Sequence, residues 1–182
     1  MPLIKDGQFV EDSWTVLQQD DEVPPKGDVI VPLERYLSDT DELNRRVGRV
    51  GVALENTADP DDIAPYLNDI DLVALTFPAF TDGRAYSQAR QLRHHLGFGG
   101  ELRATGNVLA DQAGFLKQVG FDAFEVTPNQ SIDIWVKASE AVTLAYQRGY
   151  DGNRKTRDKL RPSPLPQHPS DCAAVAEQSA PA

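Results

Sequence analysis

Leu72-Val73-Ala74-Leu75-Thr76-Phe77 is the most apolar run in the chain, and a short, nearly unbroken apolar run fits a strand at the centre of a parallel sheet. Val50-Gly51-Val52-Ala53-Leu54, upstream, reads the same way. Between the two runs, Asp59-Pro60-Asp61-Asp62 opens a helix, with a capping carboxylate, proline in the first turn and acids at the positive end of the dipole. Downstream, Ala85, Ala89, Leu92 and Leu96 recur at helical spacing and predict a helix over about 82–96, ended by Gly97-Phe98-Gly99-Gly100. Glu101 to Thr105 is a polar-alternating strand. Val108, Leu109, Gln112, Phe115, Leu116 and Val119 mark a further helix that Gly120 stops before the strand Phe121 to Val126.

Four strands with three intervening helices form a β-α-β-α-β-α-β series, whose crossovers require parallel neighbours. The fold class is therefore α/β with a mostly parallel sheet, and four strands alone leave open whether it is an open sheet or curls like half a barrel. Before this series, Asp6-Gly7 between two alternating stretches predicts an N-terminal β-hairpin with a type I′ turn, and Val29-Ile30-Val31 predicts a strand closed by Pro32. After it, Ser131 or Asp133 caps a last helix whose inner face is Trp135, Ala138, Val142 and Tyr146. The division expected is a single domain over 1–148, comprising a hairpin segment 1–32, a core 48–127 and a helix 131–146. A basic, Pro-rich tail over 149–182 is expected to be disordered, because it has too few large apolar residues to offset the entropy of ordering.

Composition narrows function. The 182 residues carry 18 Lys and Arg against 28 Asp and Glu, a formal charge of −10, and an acidic chain is not held to polyanions by bulk charge, so nucleic acid is not an expected partner. The single cysteine, Cys172 in the tail, rules out a cysteine-only zinc or iron–sulfur site within the chain. No run of about 18 apolar residues occurs, so no membrane span is expected, and a cytoplasmic protein is the default. There is no Walker loop, no Gly-x-Gly-x-x-Gly and no zincin helix. His94 and His95 are neighbours on a helix and point about 100° apart, so one metal cannot be chelated by both. No metal site and no cofactor are expected.

Ligand sites of parallel α/β sheets gather at the carboxyl ends of the strands. Glu55 and Asn56, Thr76 to Arg84, Thr105 with Gly106 and Asn107, and Glu125 with Thr127 stand there. Arg84, in the first turn of a helix, is a cation where the dipole prefers an anion. It either pairs with Asp82 or a neighbouring loop acid, or it is held for function. Arg103 shares a strand face with Thr105 and needs a partner if buried. It either forms a structural pair with Glu101, Glu125 or Asp111, or converges with Arg84 as a clamp for a small oxyanion or a partner's carboxylate. Arg90, Arg93, His94 and His95 make the 82–96 helix basic within an acidic protein, a solvated face or a surface that steers an acidic partner.

The stretch Phe77 to Arg93, together with Gly100-Glu-Leu-Arg-Ala-Thr-Gly106, Val108-Leu-Ala-Asp-Gln112 and Gly120-Phe-Asp-Ala-Phe-Glu125, closely resembles the bacterial family of unknown function called DUF934, over roughly Val29 to Val126, with the N-terminal hairpin expected inside the resemblance and the tail outside it. Members are described as probable oxidoreductases involved in sulfite reduction, from their linkage to sulfite reductase and sulfate assimilation. The resemblance implies a place in cysteine biosynthesis rather than a particular reaction. By position it points to Phe77, Phe80, Thr81, Asp82, Gly83, Arg84, Tyr86, Ser87 and Arg90 in the first motif, and to Glu101, Arg103 and Gly106 in the second. Asp111, Gln112 and Glu125 come from the last two. Many relatives carry cysteine before the final Gly-Phe-Asp; here the residue is Val119. Sulfite reduction needs sirohaem and an iron–sulfur cluster, for which this chain has neither the cysteines nor the length. The expectation is therefore an accessory protein that docks on the sulfite reductase haemoprotein or its electron donor. The alternative is a small α/β enzyme or binding protein for an anionic metabolite, held by Arg84 and Arg103 with Asp82, Asp111 or Glu125 as acid or base.

Overall fold

A computed structural model describes residues 2–126 and 131–140, with side chains through Ala138. The described residues all belong to one compact unit. The expected tail, 149–182, the helix residues Val142 and Tyr146, and Thr127 lie outside the described residues.

The strands are β1 (Leu3–Lys5), β2 (Gln8–Val10), β3 (Trp14–Val16), β4 (Asp28–Pro32), β5 (Val50–Leu54), β6 (Leu72–Phe77), β7 (Glu101–Gly106) and β8 (Ala123–Glu125). The α-helices are α1 (Leu33–Arg45), α2 (Arg84–Arg90), α3 (Ala113–Val119) and α4 (Ile132–Glu140). All eight strands make one sheet in the order β2-β1-β8-β7-β6-β5-β4-β3. From β3 to β8 every neighbouring pair is parallel, while β1 is antiparallel to both β2 and β8. The α/β class is as the sequence implies, and the hairpin turn is formed by Asp6 and Gly7 at φ 52° and 75°, the positive values a type I′ turn requires.

The parallel series is longer than the sequence suggests, because β3, β4 and α1 also belong to it. Pro32 closes the strand as expected, being the last residue of β4, and it is at once the N-cap of α1 (φ −58°, ψ 150°), a helix the sequence reading does not predict. The helix expected over 82–96 starts at Arg84, runs as α-helix to Arg90 and widens into a π turn over Gln91–His95. The helix opened by Asp59 is a 3-10 helix, Pro60–Tyr66, and the Asp59 carboxylate accepts the Asp61 N–H at 3.0 Å as its cap. Gly120 ends α3 at φ 104°.

Strand order alone decides between open sheet and half-barrel. β2 ends at Val10 on one edge and β3 begins at Trp14 on the other. The intervening four peptide steps extend at most about 14 Å, whereas seven interstrand spacings laid flat span about 34 Å. The sheet must curl until its two edges face each other, as a half-barrel that residues 11–13 bridge.

Side-chain alternation then separates two environments. Ile4, Val29, Val31, Val50, Val52, Leu54, Val73, Leu75, Phe77, Leu102, Ala104 and Phe124 share one core with Tyr36, Leu43, Ile63, Ala85, Ala89, Leu92, Leu116 and Trp135 from the helices. The described helices therefore cover the convex face. The concave face carries Ile30, Leu72 and Ala74, packed with Trp14 and Ala53, and on β7 the polar set Glu101, Arg103 and Thr105. Gly51 sits in the same inner layer, where a Cβ would come within 3.1 Å of Ile30 and 3.2 Å of Leu72.

Candidate functional site

The carboxyl-end rim of β5, β6 and β7 holds most of the residues singled out by sequence. β6 delivers the loop 78–83, whose turn is closed by the Asp82 N–H donating to the Ala79 carbonyl at 3.0 Å. Asp82 then does the capping that Gly83, itself at the N-cap of α2, cannot do with a side chain. Its carboxylate accepts from the Arg84 N–H at 3.2 Å, Arg84 Nε at 3.0 Å and Arg84 Nη2 at 2.6 Å, and from Asn56 Nδ2 at 2.6 Å. The Arg84 guanidinium, its backbone N–H and Asn56 together hold the Asp82 carboxyl down at about 2. The cation that looked misplaced in the first turn of α2 is thus the partner of its own capping acid.

Phe80 projects into solvent, 54% exposed, while its carbonyl accepts from Gln112 Nε2 at 3.1 Å. Gln112 also accepts the Leu109 N–H at 3.0 Å, so one side chain ties the Phe80 loop to the turn that leads into α3. Phe115, on the first turn of α3, is 66% exposed. Tyr86 packs edge-on against Phe77 at 5.3 Å; burial first, and Asp111 second, push its hydroxyl pKa up. Thr105 Oγ1 donates to the Leu75 carbonyl at 3.3 Å and lies 3.5 Å from Thr76 Oγ1. Gly106 turns the chain at φ +87°, and a Cβ there would meet the Phe77 carbonyl oxygen at 2.5 Å. Thr81, Asp111 and Arg90 are exposed, and the carboxylate of Glu125, half-buried at the end of β8, forms no hydrogen bond or ion pair among the described residues.

Arg103 is not part of this rim. It pairs with Ala74 in the middle of the sheet, three residues before the Phe77–Gly106 pair at the strand ends, about 10 Å away along the strand. Its guanidinium, 3% exposed on the side chain, donates to Asp12 Oδ2 at 2.8 Å and to Glu101 Oε1 at 3.1 and 3.2 Å. Lys5 Nζ completes the group on Glu101 Oε2 at 2.7 Å. Arg84 and Arg103 therefore do not form a clamp: each is neutralised by acids of its own chain, and the two sit at different levels of the half-barrel. For both arginines the structural pairing, one of the two readings the sequence left open, is the one formed.

Sequence reasoning placed Asn56 at this rim but missed Asp12 and Lys5. Asp12 was undetectable because its partner lies 91 positions away and meets it only once the sheet has curled. It also missed the work of the other arginines. Arg93 is buried and donates to the carbonyls of Gly120 (3.0 Å), Phe98 (2.6 Å) and Gly100 (2.8 Å) and to Asp122 (2.5 Å), bracing the end of the α2 segment against the turn before β8. Arg35 likewise holds the carbonyls of Gln18 and Asp21. Among the described residues no group of three or more His, Cys, Asp or Glu is arranged to hold a metal ion, and no helix is long and apolar enough to cross a membrane.

The geometry defines a curled, mostly parallel α/β half-barrel whose carboxyl-end rim carries exposed aromatics beside an internally satisfied charge pair. The chain belongs to the family described as bacterial protein of unknown function (DUF934), whose model matches residues 51–156. The match begins later than the expected Val29, leaves the N-terminal hairpin outside, and runs to residue 156, past the start of the expected tail. No curated protein matches the chain.

Proposed function

We propose that this protein is an accessory component of assimilatory sulfite reduction that docks on the sulfite reductase haemoprotein or its electron donor. The pathway comes from the family resemblance; the docking rests on one observation, the exposed Phe80 and Phe115 brought to the same rim by the Gln112 bond to the Phe80 carbonyl. Exposed aromatics on a rigid rim are the residue type that anchors protein interfaces. With Arg84 already engaged by Asp82, the rim presents apolar anchors rather than an anion trap. Co-purification of the full chain with purified sulfite reductase haemoprotein tests this, expecting retention that a Phe80→Ala, Phe115→Ala double variant weakens at least about tenfold. No retention, together with unchanged sulfite turnover in a deletion strain, removes the proposal.

The alternative of a small α/β enzyme or binding protein for an anionic metabolite loses both arginines that were to hold the anion. What remains in its favour is Glu125, a half-buried carboxylate without a partner at the end of β8. Calorimetric titration of the isolated chain with sulfite and sulfate separates the two readings, since tight binding without any partner protein favours the alternative.

A further inference from the structure

Residues 11–13 cross the open side of the half-barrel as a strap with one tie. They lie outside every strand and helix, Glu11 and Ser13 are exposed, and none of the three takes part in a backbone–backbone hydrogen bond among the described residues. The adjoining Trp14 N–H donates to Asp12 Oδ1 at 3.1 Å. Beyond that local turn, one bond among the described residues fastens the strap to the rest of the fold, Arg103 Nη1 donating to Asp12 Oδ2 at 2.8 Å. The flanking strands are short and largely exposed, β2 throughout and β3 at Thr15 and Val16. Little burial and few backbone bonds mark a segment that opens locally while the rest stays folded.

The receiving end of that bond is rigid. The Arg103 side chain is 3% exposed, on the concave face beside Ala74 and Ala123, and Glu101 fixes it through Nε and Nη2. With the strap lifted, the bonded group left behind is two cations, Arg103 and Lys5, sharing one acid, Glu101. A buried charge without full compensation is costly, so the vacated place takes an anion. Its chemistry is set by what already sits there: a carboxylate, in a group whose excess charge one monoanion cancels and a dianion exceeds. Asp12 engages Arg103 through a single oxygen, the other being turned to Trp14, whereas a free carboxylate can present both oxygens to the guanidinium fork.

We infer that Asp12 is a resident stand-in for a small monocarboxylate, and that the 11–13 strap is a latch which such a ligand opens by taking the place of Asp12 on Arg103. The closed strap lowers the apparent affinity of the site by the fraction of time it stands open. By linkage, bound carboxylate holds the strap open. A carboxylate on another protein shares this chemistry, but the burial of Arg103 in the middle of the sheet favours the small ligand. The latch is separate from the docking reading, which rests on Phe80 and Phe115 at the carboxyl-end rim.

The test titrates the ¹⁵N-labelled full chain with sodium acetate against sodium chloride at matched ionic strength. In wild type, acetate is expected to shift the Arg103 Nε–H resonance saturably and to speed hydrogen exchange at the Trp14 amide, which loses its acceptor when Asp12 swings away; chloride should do neither. Asp12→Ala removes the stand-in and should bind acetate at least about tenfold more tightly than wild type, and Asp12→Asn, which keeps the side-chain volume, should also bind more tightly. Equal acetate affinity in wild type and both variants, an Arg103 resonance that acetate leaves unmoved, or the same shifts with chloride overturns the latch. A capped hexaglutamate peptide that binds Asp12→Ala where acetate does not overturns the small-ligand assignment. No haemoprotein is present in this titration, so its outcome is independent of the co-purification experiment.

Discussion

Replacing Arg103 with Met keeps most of the side-chain stem inside the half-barrel and removes the charge that connects β7 to the 11–13 segment. The wild-type guanidinium bonds Asp12 at 2.8 Å and Glu101 at 3.1 and 3.2 Å, and these carboxylates have side chains only 22% and 14% exposed. Glu101 keeps Lys5 at 2.7 Å after the change, so the loss falls mainly on Asp12, which retains only the Trp14 N–H at 3.1 Å. Breaking a buried pair from one side costs about 3–5 kcal/mol; the surviving Lys5 contact and the partial exposure of Asp12 place the expected loss near the lower end, about 3 kcal/mol. Asp12→Ala leaves Arg103 with Glu101 and should cost less, about 1–2 kcal/mol. The double variant should then be more stable than the sum of the singles predicts, with a coupling of about 1.5 kcal/mol. Urea unfolding of the four proteins at neutral pH measures all three quantities. An Arg103→Met variant within about 0.5 kcal/mol of wild type, or a coupling near zero, would show that residues 11–13 are not fastened across the half-barrel by this pair.

Two further outcomes follow from the rim. The Asp82 carboxyl should titrate with a midpoint at about 2, below its ordinary value of 3.8. Because the folded-state value is depressed, its contribution is fully present above about pH 4 and fades as the pH falls from there through 2; Arg84→Gln should return the midpoint toward 3.8, read by carbon-13 NMR of the side-chain carboxyl. Gly106→Ala combines φ +87° with a Cβ 2.5 Å from the Phe77 carbonyl oxygen and should destabilise by at least about 2 kcal/mol, whereas Gly97→Ala, at φ +70° with open space around it, should cost only about 1 kcal/mol. Thermal unfolding of the pair gives the comparison, and equal effects would contradict the close approach at Gly106.

Local signals made most of the strands legible. β5, β6 and β7 stand out as short runs bounded by turn residues, the hairpin by Asp6-Gly7, and the stop of α3 by Gly120, because each depends on residues within a few positions. α1 escaped because Pro32 reads as an end, although a proline is equally suited to stand just ahead of a helix. β3 escaped because three residues at a sheet edge, Trp14–Val16, carry no period long enough to recognise. The pairing of Arg84 with Asp82 was visible as one of two readings, since both residues lie in one turn. The pairing of Arg103 with Asp12 was not, because no property of either residue encodes which distant segment the curl brings to it.

That curl also bears on what the family match leaves outside. Residues 51–156 contain β5 to β8, yet this part would end in two exposed strands, β5 and β8, whose outer backbone groups would otherwise lack partners. β4 pairs with β5 on one side and β1 with β8 on the other, so both open edges of the matched segment are capped by the preceding residues. The same residues supply Lys5 and Asp12 to the charges on β7. A segment that covers both edges and neutralises an interior cation is an integral layer of the fold rather than an appended module, and truncation before β5 would expose two strand edges and a buried guanidinium at once.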